Sequence, residues 1–166
     1  MVRWLRENVY ASYVLLVLRL YLGYEWLSAG FEKLTGGFDA TGFLMGAVKK
    51  ATGDHPAVQG WWAGFLQGFA IPNAGLFNVL IPIGETLVGL GLILGCLTTA
   101  AVFFGMVMNF AFMFSGTTST NPQMVLLSIF VIVAGFNAGK IGLDRWVIPY
   151  IRQWAANTFK KEGARA

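Results

Sequence analysis

Metal-binding side chains are scarce in this sequence. It has one cysteine, Cys96, and one histidine, His55. A single thiol excludes an internal disulfide, a four-cysteine zinc site and a cysteine-held iron–sulfur cluster. A single histidine excludes a bis-histidine haem supplied by this chain alone. Charge is scarce as well: Asp, Glu, Lys and Arg make up 12% of 166 residues, against about 25% in soluble domains. A chain so poor in charge cannot cover a water-soluble globule of its size. The deficit is taken up by 56% hydrophobic residues and a mean hydropathy of +0.61. The sequence reads as one integral membrane domain, residues 1–166. Its net charge of +4 does not imply nucleic acid, because the cations gather at the ends of apolar segments, where they set membrane orientation.

Four apolar segments stand out: 9–34, 75–95, 100–114 and 122–139. The first would be about 39 Å long as a helix, more than a hydrocarbon core of about 30 Å, so it must tilt or protrude. It runs past the length of a signal-peptide core and is interrupted by Arg19, which reads as an uncleaved span. The fold expected is an all-α integral membrane protein. It is a four-transmembrane-helix bundle, with interfacial helices in the outer connection (36–74) and in the basic tail (140–166). Arg3, Arg6, Lys140, Arg145, Arg152, Lys160, Lys161 and Arg165 fall on the side of both termini, and Lys33, Lys49 and Lys50 on the other. The positive-inside rule then predicts a multi-pass protein with both termini cytoplasmic; the location expected is the plasma (inner) membrane of a prokaryote. In the connection, GFLMGAVKKATG and VQGWWAGFLQGFAIP each suit a short helix, with Trp61, Trp62 and Phe65 as an aromatic belt. An anchor and a lid over an outward site are both open. The tail DRWVIPYIRQWAANTFKK suits a basic interfacial helix with Trp146, Ile151 and Trp154 in lipid.

The polar residues inside the spans carry the functional question. Arg19, Gly23, Trp26, Gly30 and Lys33 follow helical spacing and share a face. Their two glycines allow a neighbouring helix to approach closely. Glu25 and Glu32 form a second line beside them. A charge at a helix centre costs about 2.5–3.5 kcal/mol on insertion scales, while each Leu or Val returns only about 0.3–0.6. Partners are therefore expected. The second span offers Glu85, on one face with Gly89, Leu92 and Cys96. The third offers Asn109, beneath Ala101 and Gly105, and the fourth Ser128. These predict a buried centre of Arg19, Glu85 and Asn109 with Glu25 close by. A buried ion pair that only fixes register is the plain alternative, but an intramembrane ionisable group is a functional-site hypothesis by default. GLGLILG (89–95) has no preceding strand, so it is a packing motif rather than a dinucleotide loop. Cys96 reads as a small turn residue and His55 as a solvated loop residue.

The patterns R-x3-G-x2-W-x3-G-x2-K (Arg19 to Lys33) and E-x3-G (Glu85 to Gly89), with GLDRW at 142–146, resemble the DoxX/DoxD-like family over about residues 10–146. The outer connection and basic tail are longer than is typical there. The family takes its name from a small membrane subunit of a thiosulfate:quinone oxidoreductase. The resemblance implies that Arg19, Lys33 and Glu85 are shared polar residues. It also implies a membrane oxidoreductase that couples oxidation of a small donor, thiosulfate or another sulfur compound, to reduction of menaquinone or ubiquinone. In that scheme Arg19 polarises a carbonyl or holds an anion, Glu85 shuttles protons, and Asn109 and Glu25 complete the centre. Lys33 draws in an anion, and Trp26, Phe31, Phe104 and Phe110 line an apolar slot for quinone. No metal or haem site is evident, so the donor meets quinone directly or a second oxidoreductase subunit carries the redox centre. A non-catalytic anchor subunit and a small-solute or proton pathway are the alternatives. Membrane lipid, quinone and a second subunit are the partners expected, with self-association open.

Overall fold

The computed structural model describes residues 1–163, with side chains as far as Thr158. Arg165 and the side chains of Lys160 and Lys161, counted above among the cytoplasmic cations, lie outside the described residues. Every regular element among the described residues is helical. A short α1 (Val2–Glu7) leads into α2 (Val9–Gly36), whose first turn is capped by Asn8 Oδ1 accepting from the N–H groups of Tyr10 at 2.8 Å and Ala11 at 3.3 Å. Gly37, at φ 72°, ends α2 in the left-handed region where glycine carries no Cβ penalty. The outer connection folds into α3 (Ala40–Lys49) and α4 (Gly60–Phe65), which continues as one π turn to Ala70. Then come α5 (Ala74–Leu94), α6 (Thr98–Phe114), α7 (Asn121–Ala134), a single turn α8 (Phe136–Gly139) and α9 (Asp144–Gly163).

Two of these helices, α2 and α5, are long and apolar enough to cross a membrane; α6 and α7 are shorter apolar helices. The segment expected as one span over 122–139 is broken at Gly135, whose φ of 57° and ψ of −128° lie outside helical space, into α7 and α8. Helices α2, α5, α6 and α7 bury a shared core of Leu15, Leu22, Trp26, Val88, Leu92, Val102, Met124 and Val131. Their outer faces carry large apolar side chains left exposed, among them Tyr13, Val17, Tyr24, Leu80, Leu87, Phe104 and Leu126. That distribution is costly in water and natural in lipid.

The tightest pairing is α2 on α5, and glycine makes it. A Cβ on Gly23 would lie 2.7 Å from Ile93, one on Gly89 2.5 Å from the backbone nitrogen of Leu27, and one on Gly30 2.5 Å from the Thr86 hydroxyl. The expected close approach along the Gly23 and Gly30 face is therefore present, and these contacts fix an antiparallel register. Gly23 stands by Ile93, Leu27 by Gly89 and Gly30 by Thr86.

The outer connection packs onto the bundle instead of straying from it. It has a small core of Ala40, Leu44, Ala47, Leu66 and Ala70. Asn78 Oδ1 accepts the Ala40 N–H at 2.7 Å, Trp62 Nε1 donates to Ser115 Oγ at 2.9 Å, and Lys50 Nζ donates to the Gly116 carbonyl at 3.0 Å. These bonds tie α3 to α5 and bind the connection to the turn between α6 and α7.

Candidate functional site

The register set by the glycines decides what each buried charge meets. Arg19 and Lys33 are fourteen residues apart, about 21 Å along the axis. Sharing a face does not bring them to one depth, and they occupy opposite ends of the bundle.

Arg19 is almost fully buried, at 1% exposure, and its guanidinium finds carbonyls instead of a carboxylate. Nη1 donates to the Ala138 carbonyl and Nη2 to that of Ile141, each at 2.7 Å. The planar fork suits this divergent pair of acceptors. It lies against Gly95, which ends α5 at φ 64°. Asp144 completes the cluster: its carboxylate accepts from the N–H groups of Leu97 at 2.6 Å and Thr98 at 2.9 Å, capping α6 from a distance. Backbone bonds from Leu143 to Leu94 (3.1 Å) and from Asp144 to Gly95 (2.7 Å) close it. This is a clasp between the first long helix and the chain from α8 to the start of α9. The expected centre joining Arg19 to Glu85 and Asn109 is corrected accordingly: Arg19 belongs to the clasp.

Glu85 is equally buried, and its carboxylate forms an ion pair with Lys33 Nζ at 2.9 Å. Lys33 also reaches the Ala29 carbonyl at 3.4 Å and lies 5.9 Å from the centre of the Phe38 ring. The pair lines a cavity of about 260 Å³. Glu25, Trp26 and Ala29 of α2 form one wall, since 25, 29 and 33 are successive turns of a helix. Phe38 and Phe43 of the outer connection and Phe112 of α6 give aromatic walls, with Phe43 edge-on to Phe112 at 6.0 Å. Asn121 and Met124 of α7 and the turn residues Thr117, Ser119 and Thr120 complete it. Ser119 and Thr120 are exposed, so the cavity opens at that turn. Ser119 has a φ of 40°, a left-handed conformation that costs a serine about 1–3 kcal/mol. Asn121 holds the turn by donating from Nδ2 to the Thr117 carbonyl (3.2 Å) and the Thr118 carbonyl (3.1 Å). Two carboxylates and one ammonium thus face a partly aromatic chamber.

Of the residues singled out in the sequence, Glu25, Trp26, Lys33 and Glu85 gather here. Asn109 is completely buried with both side-chain ends unpaired, and is not among the cavity walls. Phe31 points away from the bundle at 64% exposure, because two residues from Ala29 is the opposite side of a helix. Phe110 stacks on Phe114, 6.1 Å away, at the surface. Phe104 lines a separate apolar groove of about 750 Å³ between α5 and α6, with Gly84, Gly91 and Cys96. The four aromatic residues expected to form one slot are therefore dispersed. The cavity residues that the spacing did not flag are Phe38 and Phe43, from the segment read as the outer connection, Phe112, one turn beyond Asn109 in the third apolar segment, and the residues from Thr117 to Asn121. The helical spacing from Asn109 was a signal for Phe112, and the polar run TTSTN for the turn. Among the described residues, no three His, Cys, Asp or Glu side chains gather as metal ligands.

A family model described as DoxX matches residues 14–118, which include Glu25, Lys33 and Glu85. No curated protein and no solved structure matches the chain.

Proposed function

The chain belongs to the DoxX family, and from that premise we propose that it is a membrane oxidoreductase working at the Lys33–Glu85 cavity. In this reading α2, α5, α6 and α7 with α8 cross the bilayer as four spans. Both termini lie in the cytoplasm of a prokaryotic cell, since Arg3, Arg6, Lys140, Arg145 and Arg152 outnumber Lys33, Lys49 and Lys50. The cavity then opens outward. The substrates are a quinone, menaquinone or ubiquinone, and a small reductant such as thiosulfate or another sulfur compound.

The observation that carries the reading is the ion pair of buried Glu85 with part-exposed Lys33 on an aromatic-walled chamber. The chamber's volume, about 260 Å³, approaches the lower end of ligand pockets, about 300 Å³, enough for a head group whose tail lies outside. Reduction of a quinone consumes two electrons and two protons. Two thiosulfate ions release two electrons on joining as tetrathionate. Proton delivery falls to the protein. The Lys33 ammonium donates to a quinone carbonyl, and Glu85, then Glu25, relay protons from the outer opening. Aromatic walls hold the ring and keep water off it. Arg19, which the sequence suggested for carbonyl polarisation, has both terminal nitrogens occupied by carbonyls and is left out of the reaction.

The test is thiosulfate-driven quinol formation by the purified protein in lipid, beside Glu85→Gln, Lys33→Gln and Arg19→Gln. Loss of a proton relay lowers kcat by about 10²–10⁴-fold, so the first two variants should lose activity, while folded Arg19→Gln keeps the native rate. A native protein that binds quinone yet reduces none with any sulfur donor would overturn the reading in favour of an anchor subunit.

A further inference from the structure

A second chamber, of about 560 Å³, lies at the opposite end of the bundle beneath α9. Its walls are apolar: Phe103 of α6, Ile132 of α7, Phe136 of α8 and Ile148 of α9. Two charged residues of α9 join them, Asp144 and Arg152. Asp144, Ile148 and Arg152 are successive turns of one face, so this face of α9 is the roof. Asp144 is already engaged by the N–H groups of Leu97 and Thr98. Arg152 has no ion-pair partner among the described residues. The opposite face carries Trp146, Tyr150 and Trp154, all more than 60% exposed. Such an aromatic stripe marks a helix at a membrane boundary.

We propose that this chamber is a binding site for one anionic phospholipid, whose acyl chain lies against Phe103, Ile132, Phe136 and Ile148 and whose phosphate pairs with Arg152. Charge complementarity selects this occupant: an apolar chamber roofed by an unpaired arginine matches a molecule with an apolar chain and an anionic head. Lys140 and Arg145 add positive charge at the same corner, and α9 itself packs little against the bundle, contacting chiefly α8. The inference rests on the membrane placement above and is independent of the redox reading.

The experiment is lipid binding to the purified full chain in detergent, by native mass spectrometry and thermal shift. The probes are phosphatidylglycerol, phosphatidylcholine and inorganic phosphate, with Arg152→Gln, Arg152→Lys and Arg145→Gln. One bound phosphatidylglycerol is expected, favoured over phosphatidylcholine, with affinity falling about fivefold in Arg152→Gln. Arg152→Lys should restore the preference, and Arg145→Gln should leave it closer to native than Arg152→Gln does. Arg152 is exposed, so its replacement leaves the fold intact. Equal binding of phosphatidylcholine would overturn the proposal. So would stabilisation by phosphate alone, or equal losses in Arg145→Gln and Arg152→Gln, which would indicate diffuse attraction to a charged surface.

Discussion

Replacing Gly95 by alanine should be among the most damaging single-methyl additions to this protein, and the structure gives the reasons separately. Gly95 sits at φ 64°, where an L-residue with a Cβ loses about 1 kcal/mol. The added carbon would also lie 2.6 Å from Arg19 Nη1 and 2.8 Å from Cζ. A guanidinium is the far end of a flexible chain and would ordinarily move aside. Here it is held by the carbonyls of Ala138 and Ile141. Moving it forfeits at least one hydrogen bond of a charged donor, about 2 kcal/mol. The sum is a loss of about 3 kcal/mol. The assay is unfolding by sodium dodecyl sulfate in mixed micelles, followed by tryptophan fluorescence, in a double-mutant cycle with Arg19→Met. With the guanidinium gone, Gly95→Ala should cost only the left-handed strain, about 1 kcal/mol, leaving a coupling of about 2 kcal/mol. Strict additivity would refute the reasoning, because the clash and the lost bonds would then not be the cause.

Gly89→Ala sets a Cβ against the Leu27 backbone at 2.5 Å, so α2 and α5 must part; a loss of about 1–3 kcal/mol is expected in the same assay. Gly84→Ala meets only the flexible end of Met108, its sulfur at 3.4 Å and its methyl at 4.0 Å, and should stay within about 0.5 kcal/mol of native. Asp144→Ala removes both acceptors from the start of α6 and should cost about 2 kcal/mol, read as faster amide exchange at Thr98. Asp39 caps α3 through the Thr41 N–H, which holds its carboxyl below the ordinary aspartate range. A depressed folded-state value means that the cap's stabilisation is complete above about pH 4 and disappears as pH falls further. Amide exchange at Thr41 should follow that course in the native chain and lose its acid dependence in Asp39→Asn.

Much of the architecture can be read directly from residue pattern. The expected segment 9–34 is the helix Val9–Gly36, and 75–95 is Ala74–Leu94, because long apolar runs bounded by Asn8, Gly37 and Gly95 carry their own start and stop signals. The glycines on the Arg19 face do meet another helix. Depth was not legible. Spacing assigns residues to a face, but the sliding register of two antiparallel helices is set by which glycine meets which backbone. That register put Lys33, not Arg19, beside Glu85. Nor could spacing reveal that the two terminal nitrogens of Arg19 would meet carbonyls more than a hundred residues away, since every residue offers a carbonyl and none is marked as the acceptor. The outer connection contributed Phe38 and Phe43 to the cavity for the same reason: a loop's composition does not say where it lands.

The clasp has a consequence for how the protein is made. The acceptors for Arg19 lie 119 and 122 residues downstream. At about 5–20 residues per second, a ribosome needs roughly 6–24 s to reach them. Throughout that interval the first helix holds an arginine without its native acceptors, at an insertion cost of about 2.5–3.5 kcal/mol. The clasp is therefore closed late: only when Ala138 and Ile141 arrive is the arginine of α2 secured. A nascent chain stalled before that point should be the form a membrane quality-control protease recognises.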